Sequence, residues 1–273
     1  MRITDAHTHV FPAPIAVKAA TAIGDFYDGV KMWGDGTVEM LVENCKKVGI
    51  ERTFTHSVAT TPKQVTRINE FIAECVAKSE GLMIGFATMH PDFQDVGGEL
   101  DRALDLGLVG VKLHPDMQHF AIDDPRAMHI YEEMSKRNMP LVAHTGDVRY
   151  DYSNPKRTAH VLRSFPTMRV QAAHFGCYSV WDEVLEVFEG LEVYTDLSSS
   201  FFAMDNALAE KLIAFFGSDH VMFGSDYPMW DANEELKRFN TLNLNQNDRE
   251  NILWNASENF LHGKMQESNV KNT

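Results

Sequence analysis

Short apolar, β-rich runs alternate with amphipathic stretches along the chain, and most of these runs end at a polar residue just before Gly, Pro or a polar loop. Such alternation marks repeated βα units around a parallel sheet. The runs lie near residues 2–9, 51–58, 83–89, 109–114, 140–145, 169–174, 193–198 and 221–226, so eight strands are expected. Eight βα units close into a (β/α)8 barrel, whose C-terminal face collects side chains from the ends of many strands. At 273 residues and 44% hydrophobic composition, the chain suits one barrel over 1–262, a polar tail over 263–273 and no second domain.

Helices are announced by their caps. Thr61-Pro62-Lys63-Gln64 places Thr at the N-cap, Pro at N1 and Gln at N3, ahead of a stripe formed by Val65, Ile68, Phe71, Ile72, Cys75 and Val76. Asp124-Pro125 and Asn154-Pro155 repeat that start. Further stripes run through Val38, Leu41, Val42, Cys45 and Val48, and through Leu208, Leu212, Ile213 and Phe216. Ile252, Leu253, Ala256 and Phe260 suit a C-terminal helix on the outer ring. Beyond Leu261 the sequence turns polar and is expected to fray.

Two connections exceed the usual loop length. The insertion from Val10 to Gly36 holds a short helix near Pro14 to Ile23 and the aromatics Phe26, Tyr27 and Trp33, which could lid the barrel mouth or merely patch its rim. After the fifth strand, Arg149 with Tyr150 and Tyr152 could grip a substrate carboxylate, or be ordinary exposed residues.

His7 and His9 sit two residues apart in the first strand, so both imidazoles leave on one face. Lys112, His114, His144, His174 and Asp226 end later strands. His7, His9, His144 and Asp226 together offer three neutral nitrogens and a carboxylate, a donor set for a divalent ion: zinc best, with manganese, nickel or iron as alternatives. Asp226 could then take the proton of an attacking water, and His174 could donate to an oxyanion or serve as a further ligand to a second ion. Lys112 has three open roles. It could carry a carbamate bridging two ions, bind a substrate anion as an ammonium together with His114, or pair with Asp196 or Asp5.

Other chemistries are disfavoured. Twenty-five basic against 39 acidic residues leave a net charge of -14, which repels nucleic acid and anionic membranes. Cys45, Cys75 and Cys177 have no paired spacing, and Cys177 is expected to be a buried thiol rather than a nucleophile. Neither a G-x-S-x-G elbow nor a phosphate-binding loop occurs. With no signal peptide or apolar span expected, the expected location is cytoplasmic. The expected partner is a small molecule, an anion if Lys112 or Arg149 holds a carboxylate, and association with further copies of the chain stays open.

In this order, DAHTHVFP, GVKLHPD, LVAHTGD, AAHFG and FGSDYPMW resemble the amidohydrolase superfamily, specifically the amidohydrolase-related branch of metal-dependent TIM-barrel hydrolases. The resemblance implies a metal held by His7, His9, His144 and Asp226, with His174 as a ligand or acid/base group. GVKLHP also resembles the strand-four segment of dihydroorotases, which implies a carbamylated Lys112, although members of this branch often use one metal and lack that lysine. The expected activity is hydrolysis of a small amide, lactone or ester. The branch also contains decarboxylases of aromatic and unsaturated acids, which form the alternative, and a non-catalytic metal-binding barrel is a distant third.

Overall fold

The computed structural model describes residues 1–263, so the expectation for the polar tail lies outside the described residues apart from Gly263. Eight parallel strands lie side by side in chain order: β1 (Thr4–His9), β2 (Arg52–His56), β3 (Met83–Thr88), β4 (Gly110–Leu113), β5 (Leu141–Ala143), β6 (Val170–Ala172), β7 (Tyr194–Asp196) and β8 (Val221–Met222). The ring closes from the last strand to the first through a parallel bridge between Thr8 and Tyr227 and a 2.8 Å bond from the Ala6 amide to the Phe223 carbonyl. This is the expected single (β/α)8 barrel.

All eight strands lie within the windows read from the sequence, but most stop short of them at their C-terminal ends. After β6 and β8 the reason is local. His174, Phe175 and Asp226 have φ of 62°, 54° and 59°, a left-handed conformation that leaves the ladder and that non-glycine residues adopt only under constraint. Thus the backbone turns out of the sheet where the polar side chains are presented.

The helices begin where their caps predict. Helix α1 (Ala16–Phe26) lies in the insertion after β1, α2 (Val38–Val48) starts at Thr37, whose hydroxyl accepts from the Met40 amide, and α3 (Val65–Lys78) follows a single 3-10 turn at Pro62–Gln64. Asp124 and Asn154 cap helices Pro125–Lys136 and Pro155–Ser164 by accepting from the amides of Arg126 and Lys156. Among the described residues, no helix is long and apolar enough to cross a membrane.

The C-terminal stripe departs from expectation. A π-turn at Asn251–Asn255 leads into a helix at Ala256–His262, and only Ile252 and Leu253 join the core between sheet and outer helices. Ala256 and Phe260 instead enter the barrel from below, against Ala6, Phe54, Phe86, Val142, Tyr194 and Met222. The Phe260 ring lies 5.9 Å from that of Phe54 and 5.3 Å from that of Tyr194. The helix therefore plugs the N-terminal mouth rather than sitting on the outer ring, and Phe260 fills the space among these side chains.

Candidate metal centre and active-site cavity

A register shift in β1 positions the first two histidines. Asp5 pairs with Thr53 but Thr8 with Thr55, so one extra residue on β1 allows Ala6 and His7 both to face the interior. His7 and His9 then point together, with ring centroids 5.2 Å apart, as the H-x-H spacing predicts.

Their Nε2 atoms lie 3.3 Å apart, and Asp226 Oδ1 is 3.5 Å from the first and 3.4 Å from the second. Asp196 Oδ2, an acceptor, sits 3.1 Å from His7 Nδ1, so that nitrogen carries the proton and donates it. Burial drives His7 down to about 4, so the ring is neutral at pH 7 and its Nε2 is a bare lone pair. Burial raises Asp196, but its contacts with His7, His174 and Ser198 outweigh this and hold its carboxyl well below the usual range. A lone-pair nitrogen, a second imidazole and a carboxylate oxygen converge here in a buried pocket. The donor set fits a divalent ion.

The remaining histidines extend the cluster. His174 Nδ1 lies 3.0 Å from the Ser198 carbonyl, which takes its proton, and its Nε2 faces His144 Nδ1 at 3.0 Å. His144 Nε2 is buried without a hydrogen bond, with an Asp116 oxygen 3.6 Å away. His174 stacks on His7 with centroids 4.9 Å apart, whereas the nitrogens of His144 face His174 and Asp116. Of the four expected ligands, His7, His9 and Asp226 thus converge, and His144 joins one ring further out, through His174.

Lys112 is fully buried, with Nζ 3.0 Å from His7 Nε2, and burial pushes it down to about 8 against the pull of Asp226 and Asp196. Asp5, one of its expected partners, is occupied elsewhere by the Ser225 amide and hydroxyl and the His7 amide. His114 stacks flat on His144, centroids 4.0 Å apart and planes at 6°. Its Nδ1 accepts from the Met117 amide, so its Nε2–H donates to Tyr27 Oη at 2.9 Å and leaves the phenol hydrogen of Tyr27 for another partner.

Above this floor opens a cavity of about 820 Å³, within the range of pockets that take drug-sized ligands. Its walls are largely apolar, formed by Phe11, Ile15, Ile23 and Phe26 from the insertion, with Phe71 of α3 and Met229 opposite. The insertion therefore walls the cavity.

Three expected substrate contacts find no place in it. The Arg149 guanidinium is bound by Asp147 at 2.7 Å, by Asp28 at 3.1 Å and by the Phe26 carbonyl, which ties the end of α1 to the loop after β5. Tyr150 stacks on Phe26, centroids 5.4 Å apart. Trp33 is 38% exposed and leans on Tyr227, which in turn bonds the Thr37 carbonyl. None of the three lines the cavity, whereas His114 does.

Several site residues escaped the sequence reading. His56, at the end of β2, is buried with Nδ1 3.3 Å from His9 Nδ1 and Nε2 unpaired. It carries the same strand-end signal as the others. Asp116 reaches the floor only through the turn after β4 and had no signal, whereas Tyr27, named among the insertion's aromatics as a lid or rim residue, reaches further, to His114 on the floor. Asp116 binds the Ser153 amide and hydroxyl, and burial pushes it up to about 6. Ser199 donates to Asp226 Oδ2 and accepts from Trp230 Nε1 at 2.9 Å.

The profile of the Amidohydrolase family matches residues 4–262, and the chain belongs to that family. Its fold is that of several solved structures. An uncharacterised TIM-barrel protein from Bordetella bronchiseptica is similar at 19% identity and a TM-score of 0.77, covering 96% of this chain and 98% of its own. A 5-carboxyvanillate decarboxylase from Novosphingobium aromaticivorans, complexed with manganese and 4-hydroxy-3-methoxy-5-nitrobenzoic acid, is similar at 12% identity and 0.76, covering 95% and 96%. A dihydroxybenzoic acid decarboxylase from a Polaromonas species, with manganese and 2-nitroresorcinol bound, is similar at 16% and 0.71, covering 95% and 96%. No curated protein matches the chain at a significant level. At these identities the likeness establishes the fold and nothing finer.

Proposed function

We propose that this chain is a metal-dependent, non-oxidative decarboxylase of an aromatic or unsaturated carboxylic acid. The observation that carries the reading is a largely apolar cavity whose floor joins the cation Lys112 to the cluster of His7, His9 and Asp226. Such a site receives a carboxylate at its floor, shields an unsaturated body with its walls and strips water from the group to be lost. The named activities of the two manganese-bound structural neighbours support the same choice. Hydrolysis, the first expectation from the sequence, thereby becomes the second. It asks Asp226 to accept a water proton, on an oxygen that it would share with the Ser199 hydroxyl.

A divalent ion held by His7, His9 and Asp226, with His174 or His144 completing the set, would supply positive charge that steadies oxygens of the substrate. The imidazole-rich donor set favours zinc by affinity, and the manganese bound in the two neighbours supports manganese as the ion to test. Lys112 receives the carboxylate as an ammonium, and Tyr27 donates its free phenol hydrogen to the substrate. Cleavage of the C–C bond leaves its electron pair on the substrate carbon, where a proton from a floor donor replaces the departing carbon dioxide. Lys112 and Tyr27 are the donors placed to provide it.

The test follows the atoms. With a turned-over aromatic acid in oxygen-18 water, this reading predicts carbon dioxide stoichiometric with product and no oxygen-18 in the organic product. Label incorporated into the organic product without carbon dioxide would establish hydrolysis instead.

A further inference from the structure

The cavity is larger than a single-ring acid needs, and its outer end has a charge that the proposed reaction does not use. Lys63 and Arg67, four residues apart across the start of α3, both line it and are exposed. Like charges at this spacing repel one another. Among the described residues, no carboxylate pairs with either. Glu70 is turned to Arg102 at 3.2 Å and Glu74 to Lys78 at 3.5 Å, and among the described residues neither Lys63 nor Arg67 has an ion-pair or side-chain hydrogen-bond partner. Elsewhere the arginines are engaged, as Arg126 is by Asp124 and Asp92, Arg137 by Asp101 and Glu133, and Arg157 by Asp123 and Asp151. Of the described arginines, Arg163 alone shares the unpaired state of Arg67. In a chain of net charge -14, two unneutralised cations at the rim of an apolar cavity are a local reversal of sign.

We propose that Lys63 and Arg67 form an anion subsite, and that the substrate is an elongated dianion. Its reacting carboxylate lies on the floor by Lys112, its apolar body runs between α1 and the Phe71 face of α3, and a second anionic group, a carboxylate or a phosphate, meets Lys63 and Arg67. The guanidinium supplies a paired-donor fork and the ammonium a point charge. The inference rests on the floor being the carboxylate-handling end, but its test reads binding alone, so it can fail or hold independently of decarboxylation.

The probes are 4-(ω-carboxyalkoxy)benzoates with short, medium and long spacers, each compared with the methyl ester of its distal carboxylate, titrated calorimetrically into manganese-loaded protein. At the spacer that spans the cavity, the diacid is expected to bind about tenfold more tightly than its ester, an advantage that added salt erases. The double substitution Lys63→Ala with Arg67→Ala should remove that advantage and leave ester binding unchanged, and Arg67→Glu should reverse it. Diacid and ester binding alike at every spacer, or an advantage that survives the double substitution, would overturn the subsite. Circular dichroism of the variants shows whether the fold is retained, and the exposed positions of both side chains predict that it is.

Discussion

His7 shows how one side chain becomes a ligand. Its Nε2 is available because Asp196 takes the proton on Nδ1, and Asp196 is in turn fixed by Gln171 Nε2 at 2.6 Å and the Ser198 amide at 2.9 Å. Such outer partners are commonly worth ten- to a hundredfold in metal affinity. Asp196→Asn presents an amide that can donate to His7, favours the wrong tautomer and should weaken manganese binding by roughly that factor in a chelator competition. Unchanged affinity would remove Asp196 from the account. His7, His9, His174 and Asp226 were legible because strand periodicity and strand ends are written into the sequence. His56 was equally legible and was passed over. The two readings of Arg149 could not be separated from sequence, because the carboxylate that satisfies it, Asp147, lies only two residues away in the same loop, a contact that residue type alone does not reveal.

At the scale of elements, boundaries followed from capping chemistry and roles did not. Thr37, Asp124 and Asn154 each bond an amide in the first turn they precede, a local matter that sequence records. The placement of the C-terminal helix depends on the shape of the barrel floor, which no local signal encodes. Phe260 is fully buried there among Phe54, Phe86 and Tyr194, far from the cavity. Phe260→Ala should therefore cost about 3–5 kcal/mol in a urea melt while leaving metal content unchanged. A loss below about 1 kcal/mol would return this helix to the outer ring. The insertion after β1 has the opposite role: α1 walls the cavity and is tied to the loop after β5 through Arg149.

Across the whole molecule the two ends of the barrel divide the work. The N-terminal end is a packed apolar plug, and the C-terminal end concentrates six buried or nearly buried imidazoles, His7, His9, His56, His114, His144 and His174, with Lys112 and three carboxylates, Asp116, Asp196 and Asp226. Neutral imidazoles in such number have few partners for their lone pairs, and the unpaired Nε2 atoms of His56 and His144 show the deficit directly. A cation among His7, His9 and Asp226 would take up the lone pairs at the centre of the cluster, and both the decarboxylase reading and its hydrolytic rival depend on that cation. Away from His7, the trio His114, Asp116 and His144 also brings its donor atoms together and is a competing seat. Anomalous diffraction at the manganese edge, from crystals of the manganese-loaded protein, separates the two. A strong peak is expected about 2.0–2.3 Å from His7 Nε2, His9 Nε2 and a carboxylate oxygen of Asp226. A peak seated only at His114, Asp116 and His144, or none at the cluster under saturating manganese, would contradict that placement.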